Sequence, residues 1–243
     1  MPEQLWFTEI LNRYFGHAVT SAMNAVHVAP AYPNAPINNF IAMEILVVGI
    51  LFLFFVLVRS QLSVESPGGL QHVMEGVYGF IDNQSHEIIE HDYKRFTPYL
   101  VALGLFILLG NLIGLIPGFV SPTATPTVPL GFAVCTFIYY HFHGLRKHKH
   151  HYIKQFLGPV WLMAPLMFVI EVVSHFARVL SLTVRLYANI FAGDMVTLAF
   201  FSLVPIGVPI IFLLLHLGVS LVQTFIFVVL ATVYLAGAVG DEH

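Results

Sequence analysis

A charged arginine held inside an apolar run restricts what this chain can become more than any other feature. The stretch from Ser181 to Met195 carries Arg185, the amide of Asn189 and the carboxylate of Asp194 in surroundings otherwise apolar enough for a bilayer. Arginine keeps its proton under all ordinary conditions, and burying it in hydrocarbon costs from about 2.5 to well over 10 kcal/mol. Arg185 lies too far from either end of its run to snorkel to a headgroup, so the fold must give it polar company.

At about 100° per residue, Glu171, His175, Arg178, Ser181, Arg185 and Asn189 fall on one helical stripe. Asp194 is nine residues beyond Arg185, about half a turn round and about 13 Å further along the axis, so it does not neutralise the arginine. A carboxylate has to reach Arg185 from another helix or another protein, and the other helices offer few.

Composition agrees with a bilayer. The 243 residues are 58% hydrophobic and 9% charged, which describes an all-α polytopic membrane protein rather than a soluble domain. A net charge of −3 argues against nucleic acid as a partner, and the single Cys135 excludes an internal disulfide. Mixed charges at Glu3, Glu9 and Arg13 among apolar residues in helical rhythm argue against a cleaved signal.

Residues 1–39 read as an amphipathic helix (Leu5, Phe7, Ile10, Leu11, Tyr14, Phe15) followed by a loop punctuated by Pro30, Pro33 and Pro36. A first crossing covers 40–58, with Glu44 near its start as an interfacial residue. Residues 59–96 form a cytoplasmic segment whose apolar stripe (Leu70, Val73, Met74, Val77, Phe80, Ile81) marks a helix on the membrane surface; its acidic polar face favours docking on protein over anionic lipid. His86, Glu87, Glu90 and His91 are metal-ligand types, but on a solvated helix such neighbours ordinarily bind nothing, and no metal is assigned.

Residues 97–142 hold the second and third crossings. The second ends in the motif from Gly110 to Gly118, whose glycines allow close helix approach and whose proline stops the helix. The third opens into His141, His143, Arg146, Lys147, His148, Lys149, His150, His151 and Lys154, and residues 143–155 read as a basic cytoplasmic loop at the headgroups rather than a metal site.

Residues 156–243 form a long hairpin. Its first arm, of about 40 residues, would measure about 60 Å, twice the roughly 30 Å hydrocarbon core. A double crossing would need a turn near Arg178 to Asn189, where there is no glycine, proline or hydrophilic cluster, so one tilted helix is expected. Arg59, Lys94 and Arg95 share a side with the later basic string, while the loops at Val120 and Pro205 carry no lysine or arginine. That gives five crossings, with the amino terminus outside and the carboxyl terminus in the cytoplasm.

In this orientation Asp194 lies on the outer side of Arg185, and Glu171, His175 and Arg178 on the cytoplasmic side. His216, Ser220 and Gln223 form a second polar stripe on the last helix, so that His216 can face Asp194. Two sets of titratable groups are thus separated by a permanent positive charge, which repels a hopping proton, and a carrier is needed between them. For His216 and Gln223 taken alone, interhelical hydrogen bonding is the alternative to a place on this route.

These residues resemble subunit a of the F-type ATP synthase. The likeness rests on Arg185 to Asp194, on His216 with Gln223 and the run to Leu230, on Gly110 to Gly118, and on the closing Asp241, Glu242 and His243. The resemblance implies that Arg185 faces a ring of c subunits whose carboxylates load from one half-channel and unload to the other. Asn189, Asp194, His216 and Gln223 would line the route, with Glu171, His175 and Arg178 in the cytoplasmic half; the family places glutamate, histidine or other residues where Asp194 stands. It also implies peripheral-stalk b subunits, other synthase subunits and the lipid bilayer as partners, in a bacterial inner membrane, with no cofactor and no catalytic residue in this chain. A self-contained secondary transporter or channel is the alternative, against which the chain shows no internal repeat.

Overall fold

The computed structural model describes residues 4–25, 27, 32, 35–64, 67–90, 92–116, 118–149, 152, 164–203 and 207–240. Among these there are seven α-helices and no strand: α1 (Trp6–Ala25), α2 (Asn39–Ser60), α3 (Gly69–Ile89), α4 (Thr97–Ile113), α5 (Thr127–His148), α6 (Ala164–Leu203) and α7 (Val208–Val239). Helices α2, α6 and α7 are long and apolar enough to cross a membrane, and α4 is a shorter apolar helix. Pro30, Pro33, His91, Pro117, His150, His151, Lys154, Pro205 and the closing Asp241 to His243 lie outside the described residues.

The five segments read as crossings each contain one helix, and α6 runs unbroken for 40 residues. Nothing between Pro165 and Leu203 breaks the ladder, so length alone sets its span of about 60 Å. The helix of the third crossing, α5, is longer than expected. It carries on through Arg146 and Lys147 to His148, and ends where Lys149 takes a positive φ of 49°, so part of the expected basic loop is helical.

Helix α7 is the axis of the bundle, packing against α3, α4, α5 and α6. Its Phe227, Ala231 and Leu235 meet Leu100 and Ile107 of α4, Tyr140 of α5, and Leu186 and Ile190 of α6 in one core. Hydrocarbon solvates leucine as well as a protein interior does, so the drive to associate comes from close packing and polar bonds. The large apolar residues left bare on α6, such as Leu180 and Phe176, are ordinary in that solvent. Helix α2 joins α4 through a smaller cluster of Met43, Val47, Leu51 and Ile113.

Helix α3 docks on protein, as its acidic polar face suggests. Ile81 is buried against α4 and α7, and Asp82 accepts a 2.9 Å hydrogen bond from Thr97. The His86 and Tyr93 rings pack near-perpendicular with centroids 4.8 Å apart.

Gly110 and Gly114 of the second crossing do something other than admit a helix. A Cβ at Gly110 would stand 3.5 Å from Pro122 and Thr123, and one at Gly114 would stand 2.7 Å from Ser121. They therefore make room for the Ser-Thr loop folding back on α4. The close helix approach is at Gly104, where a Cβ would come within 3.0 Å of Val228.

Candidate functional site

Helix α6 has two unlike faces. His175, Leu182, Leu186 and Ile190 are buried against the bundle, while Ser181, Val184, Ala188, Phe191, Ala192 and Met195 form a bare stripe. Arg185 is half-buried at the edge of that stripe, where its Nη2 donates to Ser181 Oγ at 3.2 Å. Among the described residues no carboxylate pairs with it. This matches the charge count along the helix, which left Arg185 without an acidic neighbour.

One turn beyond Arg185, Asn189 Nδ2 donates to Gln223 Oε1 of α7 at 2.8 Å. Further along, Asp194 Oδ1 lies 3.6 Å from His216 Nδ1. That separation is too long for a hydrogen bond and too short for a bridging water, so the shorter carboxylate faces the imidazole without locking onto it. Gly193 makes the approach feasible: a Cβ there would sit 3.2 Å from three atoms of the His216 ring. The ring thus lies against bare α6 backbone.

His216 is 3% exposed, yet its Nε2 has no protein partner, and neither has the buried Ser220 Oγ one turn on. Leaving such groups unsatisfied costs about 1–3 kcal/mol each, and buried polar atoms in this position are ordinarily satisfied by water. Beside them lies a network that the sequence reading did not pick out. Asn111, fully buried on α4, donates to Thr224 Oγ1 at 3.3 Å and accepts from Thr123 Oγ1 at 2.6 Å. Ser121 bonds Thr123 at 2.7 Å and the Gly110 carbonyl at 2.8 Å. The signal was present as an amide inside an apolar helix followed by a Ser-Thr loop, but only the fold shows that the loop turns inward.

At the other end of α6, His175 Nε2 lies 3.3 Å from Glu171 Oε1, and its Nδ1 lies 2.9 Å from the Tyr140 hydroxyl. A carboxylate only accepts, so the neutral ring carries its hydrogen on Nε2 and Tyr140 donates to Nδ1. His141 packs on His175 at 4.7 Å between centroids and joins the Tyr152 hydroxyl at 2.8 Å. The Arg178 guanidinium stands 5.2 Å over the Tyr234 ring, a cation–π contact. Glu171, His175 and Arg178 line a hollow of about 240 Å³ with Tyr140, Tyr152, Tyr234 and the last turn of α7. Of these, Tyr140, His141, Tyr152 and Tyr234 were not singled out as site residues from the sequence.

The polar residues therefore form two clusters with Arg185 between them: Asp194, His216 and Ser220 on one side, and Glu171, His175 and Arg178 on the other, with Asn189 and Gln223 bonded beside the arginine. The described residues hold no group of three or more metal-ligating side chains.

Comparison with known proteins supplies the family. The family model for the ATP synthase A chain matches residues 41–236. Curated proteins named ATP synthase subunit a are 58% identical over the whole of both chains in Koribacter versatilis, and 43% identical over 96% of this chain and all of the relative in Solibacter usitatus. In Geotalea uraniireducens the figure is 39% over 91% of this chain and 94% of the relative. With the matched region spanning Arg185, Asp194, His216 and Gln223 together, the chain belongs to the ATP synthase A chain family, the membrane subunits of bacterial ATP synthase concerned with proton transport.

Proposed function

We propose that this subunit provides two offset half-channels that load and unload protons on a rotating ring of c subunits, with Arg185 as the electrostatic barrier between them. The outer half runs by Asp194, His216 and Ser220 toward Asn189 and Gln223. The inner half runs by Arg178, His175 and Glu171, and the amino terminus lies outside with the carboxyl terminus in the cytoplasm. The subunit moves protons and performs no bond chemistry itself. Peripheral-stalk b subunits and other synthase subunits take other faces of the bundle.

The observation that carries this reading is a permanent cation at the edge of a bare apolar stripe, with no carboxylate paired to it among the described residues. A protonated carboxyl group on a passing helix is neutral and can stay in lipid; on meeting Arg185 it must ionise and give up its proton. The small residues Ala188 and Ala192 leave room for such a helix to approach.

The test is proximity. A cysteine at Ala188, in a chain whose Cys135 has been replaced by serine, should cross-link to one beside the mid-membrane carboxylate of the c subunit in the assembled synthase. Cross-links only to other helices of this chain would favour a self-contained transporter.

A further inference from the structure

We propose that the hollow where α4, α5 and α7 end together binds the phosphodiester headgroup of an anionic phospholipid. Helix α4 begins at Thr97, α5 ends at His148 and α7 ends at Val239. Between these ends lies a hollow of about 220 Å³ lined by Asp92, Arg95, Phe96, His143, Arg146, Lys147 and Val239.

Its floor is aromatic: Phe96 is 3% exposed and packs near-perpendicular to the His143 ring, with centroids 5.1 Å apart. His143 Nδ1 lies 2.9 Å from the Tyr139 carbonyl, so Nδ1 carries a hydrogen, and only a protonated ring would offer a second N–H, on Nε2, to a phosphate. Lys147 Nζ donates to the Val239 carbonyl at 2.7 Å, which caps the end of α7 and holds an ammonium at the rim. Arg95 and Arg146 are exposed, and neither has a hydrogen bond or ion pair among the described residues. Three cations face one carboxylate, Asp92, giving the lining a net charge of 3 − 1 = +2 before any protonation of His143.

A preference for basic residues on the cytoplasmic side explains why cations are here; it does not explain why they converge on one hollow with an aromatic floor. A phosphodiester brings a single negative charge and two acceptor oxygens, which match the donor fork of arginine. The adjoining face of α5 favours a lipid over free phosphate, because Ile138, Phe142 and Leu145 are exposed there and offer acyl chains a continuous apolar track. Basic pockets between helix ends at this depth are where anionic headgroups bind.

The experiment titrates the full-length chain in detergent with phosphatidylglycerol and, separately, phosphatidylcholine, counting bound lipid by native mass spectrometry. The wild type should prefer phosphatidylglycerol. R95Q/R146Q should weaken that lipid's binding about 20- to 30-fold and leave phosphatidylcholine unchanged. R95K/R146K, which keeps the charge, should retain most of the preference and so exclude misfolding as the cause. The proposal is overturned by any of four results: no preference in the wild type, equal losses in the lysine and glutamine pairs, displacement of the lipid by equimolar inorganic phosphate, or a preference that appears only after residues 241–243 are deleted. The last would assign the pocket to the chain's own acidic residues. None of these readouts depends on ATP synthesis.

Discussion

The Asp194 and Glu171 clusters each set one carboxylate beside one histidine, yet they differ in how firmly the pair is held. His216 stands 3.6 Å from Asp194, with its second nitrogen unpartnered and a neutral network of Asn111, Thr123 and Thr224 close by. His175 is engaged at both nitrogens, by Glu171 at 3.3 Å and Tyr140 at 2.9 Å, among stacked rings from α5. The first is a loose pair with one ring nitrogen left unpartnered. The second is an oriented pair whose ring is also held by a hydroxyl from a neighbouring helix. In the proposed scheme the first cluster accepts protons from outside and the second releases them to the cytoplasm.

Removing the barrier should have the largest effect. Arg185→Ala should reduce proton-driven ATP synthesis in vesicles to background and raise passive proton flux, because the two clusters would no longer be divided by a fixed charge. Arg185→Lys should rescue poorly, since a buried lysine can deprotonate and lacks the planar fork. Wild-type synthesis in the alanine variant would remove the basis of the comparison.

The next test loosens only the Asp194 cluster. Gly193→Val puts branched carbons where the His216 ring now rests, and should cut synthesis about as deeply as replacing His216 itself. Gly193→Ala meets the ring at 3.2 Å and needs a shift of a few tenths of an ångström, so it should retain much more activity. Equal activity in the two variants would show that the ring does not need its seat on α6.

Asn111→Leu removes the amide that holds Thr123 and Thr224. It should destabilise the purified chain by about 1–3 kcal/mol through the hydroxyls left unsatisfied, read as a lower thermal midpoint. An unchanged midpoint would mean the loop is held by packing at Gly110 and Gly114 alone.

Tyr140→Phe should have the smallest effect. Losing one donor worth about 1 kcal/mol should slow turnover about fivefold and alter its dependence on cytoplasmic pH, with the outside dependence unchanged. A change on the outside alone would contradict the assignment of this cluster.

Much of this was legible along single helices and little of it between them. The absence of any breaker from Arg178 to Asn189 foretold the continuous α6, and helical phase alone placed His216 opposite Asp194. Phase says which way a side chain faces, but not which helix meets it. Tyr140 and His141 therefore stayed hidden: the first sat unremarked in an apolar run, and the second passed for part of a basic string. The same gap explains the glycines, whose spacing in 110–114 fits helix packing equally well, although the chain turns at Gly114 and presents them to its own loop.

The central claim is that two half-channels open on opposite sides of the membrane, and sidedness tests it most directly. Synthesis would be measured in vesicles with the pH varied independently on each side, for variants at Asp194, His216, Glu171 and His175. Replacing Asp194 or His216 should change the response to external pH and leave the internal one nearly alone, and replacing Glu171 or His175 should do the reverse. If all four variants change the response on the same side, the two-half-channel layout is wrong, even though the family assignment stands.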